Sequence, residues 1–150
     1  MPLPEFNELG DLPPGVHLAD LAEVLSSFGE STTARKIVGQ RLLRVYNAAV
    51  GTGHLARFII YGSFVTTEPE PNDVDVFLVM DEAFEIDQCD STARILFDHH
   101  EADSHFGASV FWMMRPVFRG EQAAVEFWQT KRNLSLRGIV EIQGDHHDRK

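Results

Sequence analysis

Two short stretches, Tyr61-Gly62-Ser63 and Asp73-Val74-Asp75-Val76, decide how this chain is interpreted. The first ends a run of β-branched and aromatic residues, starting at Ala56, that predicts a buried strand. The second opens another apolar run and begins with alternating acidic and apolar residues. Because successive side chains of a strand point to opposite faces, Asp73 and Asp75 are expected on one face of a sheet. The sequence therefore predicts a glycine–serine turn and a carboxylate pair on neighbouring strands.

The carboxylate pair predicts a metal site. Two carboxylates about 6–7 Å apart along a strand repel each other when no cation lies between them. Hard oxygen ligands favour Mg²⁺ or Mn²⁺, with the phosphates of a substrate completing the coordination shell. Gly62 has no Cβ, so a phosphate can approach its backbone, and a short helix beginning after Ser63 would offer free N–H groups. Asp73 and Asp75 are thus candidate metal ligands, and Gly62 and Ser63 are candidate substrate-binding residues.

The two stretches form one pattern: a hydrophobic residue followed by Gly-Ser, a gap of nine residues, and then Asp-hydrophobic-Asp-hydrophobic. This pattern resembles the signature of the polymerase-beta-like nucleotidyltransferase superfamily. The chain is similar in size to the minimal bacterial members. It also resembles a bacterial family of nucleotidyltransferase-like proteins in three blocks: residues 12–17, residues 62–66 with the Asp pair, and residues 127–130 with 137–140. The resemblance implies a minimal nucleotidyltransferase fold and a Mg²⁺-dependent enzyme. Such an enzyme transfers a nucleoside monophosphate from a nucleoside triphosphate to an acceptor, with Asp73 and Asp75 as catalytic metal ligands.

Two departures from the superfamily pattern leave a second interpretation open. Active members usually carry a third carboxylate on a later strand, and the candidate strand, residues 108–112, holds no acid. Glu126 and Glu141 both stand between hydrophobic residues, and Glu126 is the candidate third carboxylate. Residues 64–72 also lack the Lys or Arg with which many members hold the triphosphate. A basic group would then come from elsewhere in the chain: Arg115, Arg119, Lys131, Arg132 or Arg137.

The alternative is a catalytically inactive nucleotidyltransferase-fold module that binds a nucleotide or, like an antitoxin, a protein partner. The missing acid favours this alternative. The presence of both Asp73 and Asp75 favours the enzyme, because paired strand acids cost stability without a cation. The acceptor, whether protein, RNA or small molecule, is not identified by the sequence.

Length and composition bound the remaining function classes. A chain of 150 residues, 43% hydrophobic and 24% charged, predicts a single globular domain spanning residues 1–150. The formal charge of −10 repels nucleic acid overall, so no extended nucleic-acid-binding surface is expected. The single cysteine suits a reducing compartment, and neither a membrane span of about 20 apolar residues nor a secretory signal is recognisable. A cytoplasmic location is therefore expected.

The remaining segments predict an α/β (α+β) fold, a mixed sheet with helices packed on it. Residues 1–16, rich in Pro and Gly, predict an extended arm that lies across the core or is loose, and residues 144–150 predict a polar tail. The other predicted elements are helices over 17–28, 31–51 and 90–105, strands over 73–80 and 108–114, and a C-terminal hairpin over 125–130 and 138–143.

Overall fold

The computed structural model describes residues 3–116 and 120–143. Within these ranges five strands form one mixed sheet, in the order β1-β5-β2-β3-β4. The strands are β1 (Val16–Ala19), β2 (Leu55–Tyr61), β3 (Val74–Met80), β4 (Ala108–Met114) and β5 (Ile139–Ile142). β2 is antiparallel to both β3 and β5, whereas β1–β5 and β3–β4 are parallel pairs. The predicted α/β (α+β) fold with a mixed sheet is confirmed.

Five α-helices accompany the sheet in the described ranges: α1 (Leu21–Phe28), α2 (Thr33–Gly51), α3 (Ser91–Ile95), α4 (His99–Phe106) and α5 (Gly120–Trp128). The first four begin at polar N-caps whose side chains accept a hydrogen bond from the backbone N–H three residues on. A short 3₁₀ turn, Ser63–Val65, follows β2 directly. The helix predicted over 31–51 is confirmed, with the observed bounds Thr33–Gly51.

β3 shows how the two faces of the sheet differ. Val74, Val76 and Leu78 belong to the larger core cluster, together with buried residues of α1, α2 and α4. Phe77 points to the opposite face, in a smaller cluster that also contains Val125 of α5. Asp75 shares that second face and lies two residues before Phe77, so the candidate carboxylate stands at the border of the smaller cluster.

Two predicted boundaries were wrong. The helix predicted from residue 17 begins at Leu21, because residues 16–19 pair in parallel with β5 as a strand. The helix predicted over 90–105 is two helices, and Asp98 caps the second by accepting from the Glu101 N–H. Asp90 caps the first by accepting from the Ala93 N–H.

The predicted C-terminal hairpin was also wrong. Residues 120–128 form α5, which buries Val125 against the sheet, so residues 125–128 of the predicted first arm are the last turn of a helix. Of that arm, Thr130 forms a single antiparallel bridge, to Leu136. The second arm is a strand, β5, but it pairs with β1 and β2. A short apolar run has no decisive periodicity, and here burial against a sheet face selected the helix.

The predicted arm packs on the core. Asp11 and Leu12 are buried, and the Leu3 N–H donates to the Glu23 carboxylate at 2.9 Å. The predicted tail, residues 144–150, lies outside the described residues. In the part of the chain that the structure describes, no helix combines the length and the hydrophobicity needed to cross a membrane.

Candidate functional site

The site begins with one row of side chains across three strands. Tyr61, the last residue of β2, lies opposite Asp75, and Asp75 lies opposite Ser109 of β4. Directly opposed residues share a face of the sheet, so these three side chains project together. Asp73 directly precedes β3, and its carboxylate accepts a hydrogen bond from the Val74 N–H at 2.8 Å. The structure thus brings the two predicted acids to one end of the sheet.

Gly62 places the turn directly against Asp75. Its backbone has φ 81° and ψ −163°, a conformation that is essentially restricted to glycine. A Cβ built at this position would overlap the Asp75 Oδ2 atom. The glycine backbone and the carboxylate are therefore in contact, and any side chain at position 62 would separate them. Ser63 then begins a 3₁₀ turn of three residues, Ser63–Val65, which is shorter than the helix that would offer several free N–H groups.

Arg35 of α2 anchors this turn from inside the protein. The residue is only 4% exposed. Its guanidinium donates to the carbonyl oxygens of Phe64 (2.7 Å), Thr66 (2.6 Å), Glu68 (2.5 Å) and Phe28 (3.0 Å). Burial lowers the pKa of Arg35, and the carbonyl dipoles compensate for part of the lost hydration of its charge. The position of the turn is thus set by a residue about 30 positions earlier in the chain.

Both carboxylates are disfavoured in their charged form. Burial, together with the charge of Asp73, raises the pKa of Asp75 to about 6, against the opposing effect of Arg137. Burial also raises the pKa of Asp73, against the hydrogen bond from the Val74 N–H. A cation bound between the two would reverse this effect, because it favours the ionised form of both.

The superfamily resemblance implies a third carboxylate on the strand next to Asp75, and the residue opposite Asp75 on that strand is Ser109. Its hydroxyl is hydrogen-bonded to the hydroxyl of Tyr61, whose pKa is raised by burial and by the charges of Asp75 and Asp73. Residues 3–116 and 120–143 contain no group of three or more His, Cys, Asp or Glu arranged to hold a metal ion. A cation here would take two ligands from the protein and the others from substrate and water.

The structure does not bring Glu126 to the aspartate pair. Glu126 is exposed on α5, where its carboxylate accepts from the Gln122 side chain at 2.9 Å. Glu141 lies 2.6 Å from a guanidinium nitrogen of Arg57. Among the described residues, the charged groups that shift the pKa of Asp75 are Asp73 and Arg137, and neither glutamate is one of them.

Basic groups approach the site from the loop between α5 and β5. Lys131 contacts Asp11 at 2.7 Å, and Arg137 lies 3.7 Å from the same buried carboxylate. Asp11 follows Gly10, whose carbonyl accepts from the Thr67 N–H beside the glycine–serine turn. A cavity of about 360 Å³ opens here, lined by Lys131, Arg132, Asn133 and Arg137.

Of the five basic residues considered from the sequence, Arg137 is therefore placed within electrostatic reach of Asp75, with Lys131 and Arg132 lining the same cavity. Arg115 is engaged by Glu121, with its Nε 2.7 Å from the carboxylate. Arg119 lies outside the described residues.

Comparison with known proteins places this site inside a defined family. The model of a family of unknown function, DUF6932, matches residues 4–143. The chain belongs to this family. No curated protein and no solved structure matches the chain. The DUF6932 match spans residues 4–16 of the arm, the glycine–serine turn, both aspartates and the basic loop, so every component of the site lies within the matched region.

Sequence reasoning singled out Gly62, Ser63, Asp73 and Asp75, and the structure places them together. It missed Arg35 and Tyr61 as parts of the site. Tyr61 would have been recognised had the register between β2 and β3 been known. No local pattern reveals the contacts of Arg35, because all its carbonyl partners are seven or more residues away.

Proposed function

We propose that this protein binds a nucleoside triphosphate together with Mg²⁺ at the end of the sheet where β2 meets β3. The observation that carries the proposal is the contact between the Gly62 backbone and the Asp75 carboxylate, with Asp73 on the same strand end. A phosphate group approaching Gly62 and Ser63 lies next to the oxygens that hold the cation. Phosphate and metal would then share one site.

The donor set fits a cation that the substrate helps to bind. Mg²⁺ usually keeps several waters and is held by one or two carboxylates plus substrate phosphates. Asp73 and Asp75 supply two carboxylates, and their raised pKa values mean that a bound cation offsets an existing cost. Mn²⁺ prefers the same oxygen ligands.

The basic loop supplies charge for the outer phosphates of the nucleotide. Lys131, Arg132 and Arg137 line its cavity, and Arg137 acts electrostatically on Asp75. The formal charge of the chain is −10, so a local basic group is needed to attract a triphosphate. The loop takes the role that a Lys or Arg within residues 64–72 would otherwise have.

Binding without transfer is the form of the proposal that the described residues favour. Metal-assisted transfer through two cations requires carboxylates shared between metals about 3.5–4 Å apart. Ser109 occupies the position on β4 opposite Asp75, and its hydroxyl is hydrogen-bonded to that of Tyr61. Glu126 is exposed on α5. We therefore propose a nucleotide-binding module of the nucleotidyltransferase type. A nucleotidyltransferase acting on an acceptor is the second candidate, favoured by the presence of both Asp73 and Asp75.

We place this module in the cytoplasm, where nucleoside triphosphates and Mg²⁺ are available and a lone cysteine stays reduced. The nucleotide itself is the proposed partner.

Calorimetric titration tests the binding proposal. The protein is titrated with ATP in the presence of Mg²⁺, of Mn²⁺ and of EDTA. Asp73→Asn combined with Asp75→Asn should weaken metal-dependent binding at least about tenfold, because each change removes a charged ligand. Asp87→Asn, a change at an exposed aspartate, is the matched control and should bind like the wild type. Equal affinity of the double variant and the wild type for the Mg²⁺–nucleotide complex would refute the assigned site.

A transfer assay decides between the two candidates. Each of the four triphosphates, labelled at the α-phosphorus, is incubated with the protein, Mg²⁺ or Mn²⁺ and a cell lysate. Nucleotide binding without label on protein, RNA or small molecules supports the module. Label transfer that depends on Asp75 would establish the transferase instead.

A further inference from the structure

Three aromatic side chains beside Asp75 form a surface that holds one flat ring. Tyr61 of β2, Phe77 of β3 and Phe111 of β4 are referred to here as the aromatic cradle. The indole of Trp128, at the end of α5, fills it. Ring centroids lie 4.3 Å apart for Trp128 and Tyr61, 5.2 Å for Trp128 and Phe111, and 5.8 Å for Trp128 and Phe77. The first two pairs are stacked, with interplanar angles of 23° and 29°.

Trp128 is held in the cradle through its ring faces. Its Nε1 atom is buried and has no hydrogen-bond partner among the described residues. A buried indole N–H usually finds an acceptor. The cradle therefore recognises the shape and the π-faces of a flat bicyclic ring, and the polar edge of the indole contributes no specific bond.

The cradle adjoins the proposed phosphate and metal site. Tyr61 directly precedes Gly62 and lies opposite Asp75. Phe77 stands two residues beyond Asp75 on the same face, a spacing of about 7 Å along the strand. A ribose is of a size to bridge that interval, so one nucleotide could place its phosphates at Gly62 and its base on the cradle.

The cradle is also open to solvent along one side. Phe111 is 39% exposed, and its ring stacks on the exposed His99, with centroids 4.5 Å apart and an interplanar angle of 24°. A flat ring can therefore enter from the β4 edge of the sheet. Stacking of bases on aromatic rings needs no fixed hydrogen-bond pattern, which matches a cradle built from ring faces.

We propose that the aromatic cradle is a purine-base subsite that Trp128 occupies in the free protein and leaves when a purine nucleotide binds. This inference rests on the proposed function, since the phosphates of the same nucleotide would lie at Gly62. A purine is bicyclic like the indole that it replaces, whereas a pyrimidine covers less of the three rings. The indole thus competes with the base for one surface.

Fluorescence tests the displacement directly. The chain has two tryptophans, so Trp112→Phe leaves Trp128 as the single reporter. Trp112 belongs to the larger core on the other face, packed against Phe84 and Phe97. Saturating Mg²⁺–ATP or Mg²⁺–GTP should shift the Trp128 emission to longer wavelength and raise its acrylamide quenching constant about twofold, because the ring leaves a stacked, partly buried environment. An unchanged or more protected Trp128 at saturation would overturn the proposal.

Affinity measurements provide the second arm. Trp128→Ala should bind Mg²⁺–ATP about tenfold more tightly than wild type, since the two stacked pairs of Trp128 with Tyr61 and Phe111 no longer have to be broken. Mg²⁺–CTP should gain less, and Mg²⁺–tripolyphosphate should change less than about twofold because it has no base. Ile37→Ala, at a 50% exposed residue of α2 on the other face of the sheet, is the matched control. Equal or weaker ATP binding by a folded Trp128→Ala variant would contradict the subsite, and if that variant does not fold, the Trp112→Phe experiment decides.

Tripolyphosphate separates this inference from the proposed function. Metal-dependent tripolyphosphate binding with an undisturbed Trp128 in every nucleotide complex would refute the purine subsite alone. If neither tripolyphosphate nor any nucleotide binds the protein, the proposed nucleotide site itself is refuted.

Discussion

Replacing Asp75 by asparagine should stabilise the cation-free protein at neutral pH. The pKa of Asp75 is raised from 3.8 to about 6, with burial as the largest cause and the charge of Asp73 next. One pKa unit corresponds to about 1.4 kcal/mol, so the ionised form costs up to about 3 kcal/mol in the folded state. The side of the carboxylate that faces solvent reduces this cost, and we expect about 2 kcal/mol. An asparagine amide keeps the shape and removes the charge.

The effect should depend on pH with a definite sign. In the unfolded chain Asp75 loses its proton near pH 4, whereas in the folded protein it keeps the proton until about pH 6. Over this window the folded state binds more protons, so the contribution of Asp75 to the free energy of unfolding falls as pH rises. The advantage of Asp75→Asn should therefore be close to zero at about pH 4 and reach about 2 kcal/mol above pH 7.

Chemical denaturation followed by circular dichroism measures this difference. Wild type and Asp75→Asn are unfolded in urea with EDTA at several pH values between about 4 and 7.5. At neutral pH the variant should also melt about 4–8 °C higher, as expected for a chain of this length. Asp87→Asn should show no comparable gain. A variant that is less stable than wild type at neutral pH, or a difference that does not change with pH, would refute the reasoning.

Adding Mg²⁺ and ATP should reverse the order of stability. A ligand at 100 times its dissociation constant stabilises the native state by about 2.7 kcal/mol, and only the wild type retains both carboxylates. Thermal unfolding of the wild type and of Asp75→Asn, each with and without the Mg²⁺–ATP complex, measures the stability gained on binding. An equal gain in the variant would mean that Asp75 does not hold the cation.

Substitutions at four positions test the parts of the site separately. Gly62→Val should weaken nucleotide binding at least about tenfold, because the valine Cβ would meet the Asp75 carboxylate. Ser63→Ala should weaken nucleotide binding about threefold or less. Equal, negligible effects of both changes in calorimetry would mean that no phosphate lies at this turn. Arg35→Gln should lower the free energy of unfolding by about 3 kcal/mol in urea titrations, since it leaves buried carbonyl groups without a donor. A loss below about 1 kcal/mol would show that the turn does not depend on the Arg35 hydrogen bonds. Ser109→Asp should raise the affinity for Mn²⁺ in calorimetry by adding a third carboxylate beside Asp75, while Ser109→Asn, its uncharged match, should not.

Much of the fold was predictable because the signals are local. The runs ending at Tyr61 and starting at Asp73 gave two strands at nearly their observed bounds, and Ala108–Met114 was correct at both ends. The long helix α2 was predictable from an apolar stripe that includes Val38, Leu42 and Val45, and from Gly51 at its end. Each of these patterns is a periodicity or a cap that arises within one element.

The errors came where contacts distant in sequence decide the local structure. Val125 and Trp128 stand three residues apart, a spacing that suits a helix face, but the short apolar run around them equally resembles a strand. The sheet offers its second face to this segment, and burial there made it α5. Residues 16–19 became a strand because β5 was available as a partner, which no window of the sequence contains.

The sequence by itself determined the chemical types at the site: two carboxylates spaced two residues apart, a glycine whose backbone another group can approach closely, and a serine after it. Those properties depend on the two-residue period of side chains in a strand and on the absence of a Cβ at one position, and both can be identified from a few neighbouring residues of the sequence. Tertiary structure alone decided which groups surround them. Strand order put Ser109 next to Asp75, and helix packing buried Arg35 beneath the turn. Register and packing are settled by burial of the whole core, so a residue's neighbours across the sheet cannot be derived from its neighbours along the chain.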